Sequence, residues 1–433
     1  MVYTCCMTGR RRLAAAVLAG CVLLTVAGCP AGGGDRSAEP TASAPSGGPP
    51  TGQSLPGRPT DASTDLPAYA GPPAGEPRSA GPVTRVRAAV DLTAATPGVF
   101  ARVVSAVATH DGGAYALLSP AARDLPQSLV TVRPDFSIGG GVPLPRVEDV
   151  WGMQVLDGGS VVVTGRLGPG RYGLRIVDPA TGAVRTTVLS PSGAGAATGG
   201  STVSAAGRKL YLFLSIETDG GLRERLIAVD AVTGRTLDDR ELADDVAAAS
   251  AYPVGRQLAG LVARPDGGVT VVFDASPTEV EPDRIPTLLS YGTDLEPAGR
   301  PVRATDLGED AETQAVSGAA DGTVFLAVAV PDGAWILAVP DGGGAGPLLA
   351  QLEDQIYDYA LAVEPGQVWA VLPAPTGALA VDLTTGETRG PLQVGCGPRL
   401  DVHDLYPAPG GALMIGECGT PREATQLLWF LAP

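Results

Sequence analysis

The sequence predicts an all-β chain: a seven-bladed β-propeller of four-stranded antiparallel blades, closed by an N-terminal strand completing the last blade. Three observations carry this. Gly (59) and Pro (40) make up nearly a quarter of the 433 residues, which excludes a helical bundle and points to short strands joined by turns. One strand–turn–strand pattern recurs seven times. The seventh copy stops short, and a strand without a partner precedes the first. Apolar residues are 44% of the chain and charged residues 18%, enough for a sizeable core.

Residues 1–28 read as a lipoprotein signal peptide. Arg10, Arg11 and Arg12 form a basic start, and 13–28 (LAAAVLAGCVLLTVAG) an apolar stretch too short for a good membrane span. Val26-Ala27-Gly28-Cys29 resembles a bacterial lipobox, which makes Cys29 the lipidated first residue of the mature chain. Leu18-Ala19-Gly20-Cys21 also fits, but cleavage there leaves an apolar start, and the true initiator is Met1 or Met7. The mature chain carries 27 Lys and Arg against 46 Asp and Glu. So acidic a body is repelled by anionic membrane and nucleic acid, so the acyl chains do the anchoring, at roughly 0.8 kcal/mol per buried CH₂. Residues 29–82 form a tether: 30–82 hold 12 Pro and 10 Gly with one aromatic, Tyr69, and cannot fold. As a flexible coil this segment spans about 40 Å.

Residues 83–433 hold the repeats. A Gly turn recurs at Asp111-Gly112-Gly113, Asp157-Gly158-Gly159, Gly207-Arg208, Asp266-Gly267-Gly268, Asp321-Gly322, Pro365-Gly366 and Gly410-Gly411. A strand-like run follows each (AYALL, SVVVTG, KLYLFL, VTVVF, TVFLAV, QVWAVL, ALMIG). Asp-Gly between apolar runs is a hairpin signal, because Gly accepts positive φ without steric cost. A third run comes next, and three copies end it in Asp-x-x-Thr-Gly, at Asp178, Asp230 and Asp382. There the carboxylate accepts from backbone N–H groups two or three residues on. A weaker fourth strand closes each unit. Four antiparallel strands at about 50 residues per copy read as propeller blades. Residues 84–92 (TRVRAAVDL) supply the fourth strand that the seventh copy lacks, which leaves no free edge.

These turns resemble the pyrroloquinoline-quinone-like and YVTN-like propeller repeats of bacterial secreted proteins and lipoproteins. The likeness spans 83–433 and implies the fold. The quinone-enzyme repeat has a Trp shortly after Thr-Gly. Here Ala-Val-Arg, Arg-Thr-Leu and Glu-Thr-Arg follow instead, so no quinone is expected.

Strand polarity sorts the loops. The first and third turns of each blade share one face, the bottom. The second loops and the blade-to-blade connections share the top, where loops are longer and binding usually sits. Cys396 and Cys418 fall on top in neighbouring blades, and a disulfide between them is expected to staple the closing blade. A redox pair or metal site is the alternative. The connections carry acid pairs: Glu148 and Asp149, Asp244 and Asp245, Glu309 and Asp310, Glu353 and Asp354, and Asp401 with Asp404. Either they ring the channel mouth, attracting cationic groups or Ca²⁺, or they are solvated loop acids. Arg223, Arg225 and Arg422 are candidate anchors for a partner on the top rim.

No nucleophile elbow, zinc motif, Walker loop or dinucleotide fingerprint is present. There are two His; His403 has Asp401 on its own strand face and Asp404 on the other, and reads as lining the channel or packing. The absence of Asn removes the usual Ca²⁺ ligands of lactonase propellers. Trp151, Trp335, Trp369 and Trp429 are expected between blades. The expectation is therefore a non-enzymatic, monomeric lipoprotein without cofactor or catalytic residues. Its propeller would bind an envelope protein or peptide on the extracytoplasmic face. The alternatives are a secreted propeller enzyme of lactonase or glycan lyase type with a channel site, or a small-ligand or sugar-binding module.

Overall fold

The Asp-Gly turns close the hairpins the sequence assigns to them. In the first blade Thr109 N donates to Gly113 O at 3.0 Å, Gly112 has φ +90°, and Asp111 Oδ1 accepts from Thr109 Oγ1 at 2.5 Å. Arg264–Gly268 and Ala319–Thr323 repeat the turn. Its second glycine has a separate cause. A Cβ on Gly113, Gly268 or Gly411 would run into the third strand's carbonyl, of Val132, Tyr291 or Leu431. The Asp-x-x-Thr-Gly turns form as well: Asp178 Oδ1 accepts from Ala180 N at 2.9 Å and Oδ2 from Thr181 Oγ1 at 2.7 Å, with Gly182 at φ +73°.

The computed structural model describes residues 83–433 apart from 96–100, 191–194, 205–206, 219–220, 243–244, 246–255, 276–284, 304–311, 320, 331–332, 342–347, 353–360, 364–368, 375–376, 397–399 and 420–423. The expected signal peptide (1–28), the expected lipidation site Cys29 and the expected tether (29–82) lie outside the described residues. Within them the strands form seven four-stranded antiparallel sheets. Six are sequential hairpins. The seventh has the order Arg85–Asp91, Thr425–Ala432, Gly411–Cys418, Leu400–Ala408. The N-terminal strand thus supplies the outer strand of blade 7, pairing from Arg85↔Ala432 to Asp91↔Leu427.

The innermost strands of blades 1 to 7 are Ala101–Ala108, Glu148–Val155, Ala197–Val203, Arg256–Ala263, Glu312–Gly318, Ala362–Val363 and Leu400–Ala408. Each touches the next, and the last touches the first, so they enclose a central channel. Buried apolar side chains gather in seven clusters, one between each pair of neighbouring blades, including 7 and 1. Alternation explains this: each strand sends successive side chains to the blade before and the blade after. Trp151 and Trp429 lie in such clusters, and Trp335 and Trp369 pack against them. Among the described residues no helix is long and apolar enough to cross a membrane.

Several innermost strands carry a register shift near the top, between Val103 and Ser105, Leu258 and Gly260, Thr313 and Ala315, and Val402 and Asp404. A bulge there adds one residue and re-aims its side chain. In blade 7 the added residue is His403.

Candidate functional site

The described acids of the expected ring are compensated locally. Glu148 and Asp149 both hold Arg166 of their own blade, at 2.8 and 3.0 Å. Asp245 holds Arg240 through two bonds, at 2.7 and 3.1 Å, and accepts from Tyr291 Oη at 3.2 Å. Asp244, Glu309, Asp310, Glu353 and Asp354 lie outside the described residues. Among the described residues no group of three or more His, Cys, Asp or Glu is placed to hold a metal ion. The expected anchors differ too. Arg223 is paired with Glu241 and Arg225 with Asp239, across the third and outer strands of blade 3. Their charge is engaged inside the blade, so they are not free rim cations. Arg422 is outside the described residues.

Polar groups converge instead at the top of the junction between blades 7 and 1. Gly411–Cys418 ends there with Glu417, whose register partners are Asp401 on the inner strand and Gln426 on the third. Gln426 Nε2 donates to Glu417 Oε1 at 2.6 Å. His403 Nε2 lies 3.2 Å from the same oxygen, though not aligned as a hydrogen bond. From blade 1, Val103 N donates to Gln426 Oε1 at 3.1 Å. Arg102, one residue earlier, has its basicity lowered by burial and restored in part by the charges of Glu417 and Asp401. Deeper in the junction Tyr406 Oη donates to Asp404 Oδ2 at 2.8 Å and lies 3.3 Å from Ser105 Oγ. Burial, then Asp404, drives the Tyr406 phenol well above its ordinary range.

The connection that enters blade 7 is tied to the top end of that blade's second strand. Cys396 and Cys418 form a disulfide with Cα atoms 5.4 Å apart, and Cys396 Sγ sits 3.8 Å from Glu417 O. Asp401, His403 and Glu417 all lie between the two cysteines in sequence.

Comparison within the ring makes Glu417 distinctive. It is penultimate in the second strand of its blade, as Ser119 and Asp274 are in blades 1 and 4. Asp274 is taken up by the next blade, accepting from Thr313 N at 2.9 Å and Thr313 Oγ1 at 2.5 Å. Ser119 accepts weakly from Gln127 Nε2, which also donates to Val147 O while Gln127 Oε1 accepts from Val147 N. At these three positions a histidine accompanies the carboxylate in blade 7. The sequence places Asp401 on the face of His403, which reads as lining the channel or packing; the acid beside its Nε2 is Glu417. The bulge and the hairpin bring Glu417, and Arg102 and Gln426 come from segments over 300 residues apart in sequence. The available signal was Glu417's place immediately before Cys418.

No family model matches the sequence, and no curated protein matches it. Solved structures do. A puromycin hydrolase superposes with TM-score 0.56 at 19% identity, over 81% of this chain and 55% of that one. An oligogalacturonate lyase in complex with manganese gives TM-score 0.56 at 13% identity, over 81% of this chain and 96% of that one. The chain thus spans about half the length of the hydrolase. At these identities the likeness establishes the propeller fold and nothing finer. It does correct one expectation. The chain was read as non-enzymatic because it lacks a catalytic sequence motif, yet enzymes share this fold. A site on this fold can draw residues from separate strands and blades and leave no contiguous motif, so that absence excludes nothing.

Proposed function

We propose that the chain is a lipid-anchored extracytoplasmic enzyme of glycan lyase type, with its reaction centre at the top of the blade 7–blade 1 junction. One observation carries the reading: His403 lies 3.2 Å from Glu417, whose charge acts on Arg102 of the next blade. Elimination next to a carboxylate needs a base for the carbon-bound proton and a cation for the negative charge that then develops. His403 is the base, through the ring nitrogen turned away from Glu417; Glu417 beside Nε2 balances the charge once the ring is protonated, and that proton then passes to the departing glycosidic oxygen. Arg102 is the cation, within the field of Glu417 and Asp401. The oligogalacturonate lyase is covered over almost its whole length by this chain, which supports a propeller as sufficient scaffold for such chemistry. Cys29 and the 29–82 tether would hold the propeller off the membrane.

The test is turnover of a panel of polyuronates, with neutral glycans and lactones as comparison, followed through the ultraviolet absorbance of unsaturated products. Polyuronate cleavage that falls about 10²–10⁴-fold in His403→Ala is expected. Turnover of lactones alone would point to hydrolysis, and equal rates in the wild type and His403→Ala would end the assignment.

A further inference from the structure

Arg175 stands apart from the other buried arginine. It lies on the third strand of blade 2, Arg171–Val177, opposite Val163 and two residues before Val177. Those valines pack with Leu117, Leu129 and Leu144 of blade 1, so Arg175 is on the face turned to blade 1. It is 7% exposed and Arg264 is 8% exposed. Arg264 holds two carboxylates, those of Asp266 and Asp341. Among the described residues Arg175 holds none: its Nη1 donates to Thr186 Oγ1 at 2.6 Å, and its buried Nε finds no acceptor. The nearby charge is Arg171, of the same sign, which adds to burial in lowering the basicity of Arg175.

The edge left without a partner is specific. A guanidinium offers Nε and Nη2 as a side-on fork that matches two oxygens of an oxyanion. Among the described residues that fork holds a carboxylate four times, in Arg223 with Glu241, Arg225 with Asp239, Arg240 with Asp245 and Arg264 with Asp266. In Arg175 the bond to Thr186 takes the other edge and fixes the plane of the group. A shielded cation is costly without a counter-charge, and Arg171 deepens that cost.

We propose that Arg175, oriented by Thr186 and supported by Arg171, is a binding site for an oxyanion group between the outer parts of blades 1 and 2. The group is a carboxylate, sulfate or phosphate gripped through the Nε–Nη2 fork. This site is separate from the blade 7–blade 1 junction and does not depend on the activity proposed there.

Titration calorimetry on the full chain tests it, with inorganic sulfate, inorganic phosphate and glucuronate at constant ionic strength, and chloride and glucose as blanks. Saturable binding of at least one oxyanion is expected. Glucuronate alone would assign a sugar acid, and sulfate or phosphate alone a tetrahedral anion. Binding should vanish in Arg175→Met and weaken tenfold or more in Arg175→Lys, which keeps the charge but loses the fork. If the Met variant does not fold, the Lys variant decides. No saturable heat with any of the three, or equal affinity in wild type and Arg175→Lys, overturns the proposal.

Discussion

Breaking the Cys396–Cys418 bond should loosen blade 7 by an amount set by the loop it closes. The two cysteines are 22 residues apart and enclose the inner strand, its turn and the second strand of that blade. In the chain-entropy treatment a loop of this size restricts the unfolded chain by about 3 kcal/mol. Packing adds little, because both sulfurs sit at the partly buried edge of the blade 6–blade 7 cluster. Trp429, fully buried in the same cluster, reports on it through its fluorescence. The assay is an equilibrium urea titration of oxidised protein, reduced protein and a Cys396→Ala/Cys418→Ala variant. Reduced and double-variant proteins should unfold at the same, lower midpoint. The reasoning fails if reduction leaves the Trp429 transition in place. It fails equally if reductant shifts the double variant too, since the effect then has another source.

Three further outcomes follow from particular groups. Tyr211 is fully buried, donates to Gly267 O at 2.7 Å, and is pushed up to about 12, first by burial and then by the Asp266 charge. Its neutral form therefore supports the fold fully below about pH 10, and that support is lost as pH rises towards 12. A spectrophotometric titration should show one late-ionising phenol that Tyr211→Phe removes. In the turn at Asp178 the Thr181 hydroxyl and the Ala180 N–H hold the carboxyl below its ordinary 3.8. That contribution is present above the ordinary value and lost as pH falls through the lowered one, so Asp178→Ala should flatten this part of the acid-unfolding curve. An unchanged acid limb would count against it. Gln127→Ala leaves Val147 N and O without partners at a buried blade junction and should cost about 2 kcal/mol or more in urea unfolding; a cost below about 0.5 kcal/mol would mean water replaces the amide.

The architecture was legible because its determinants are local. Asp111-Gly112, Asp266-Gly267 and the three Asp-x-x-Thr-Gly turns each place a hairpin within a few residues, and seven copies leave little choice of fold. The N-terminal strand was legible by counting, since one blade lacked a strand that residues 84–92 could supply. The candidate site was not legible for the opposite reason. Strand alternation assigns a face, but the bulge at His403 breaks the alternation that puts Asp401 and His403 on one face. Acid pairs such as Glu148-Asp149 were visible as charge, but Arg166, which pairs with both, comes from the facing strand. Arg223 and Arg225 were visible as cations, while Glu241 and Asp239 sit opposite them in the next strand of the blade. Sequence shows where charge is, and register decides whether it is already paired.

Register also separates a structural role for Glu417 from a chemical one. In blade 1 the equivalent position is Ser119, and Gln127 clasps the next blade through both amide atoms. In blade 7 Gln426 reaches the next blade through its oxygen, and its N–H is turned to Glu417. The closing junction thus has one fewer clasp bond to the next blade and gains a carboxylate fixed beside a histidine. If the carboxylate were there for stability, removing it should weaken the junction. Glu417→Ser recreates the arrangement of blade 1 and frees the Gln426 N–H to turn to the neighbouring backbone. It also removes one of the two acids near Arg102, while Asp401 stays. Glu417 is partly exposed, so the net change in urea stability should stay within about 1 kcal/mol. Turnover should nevertheless fall at least about 10²-fold, because His403 loses its orienting partner. A loss of several kcal/mol in Glu417→Ser would instead make Glu417 a fastener of the ring.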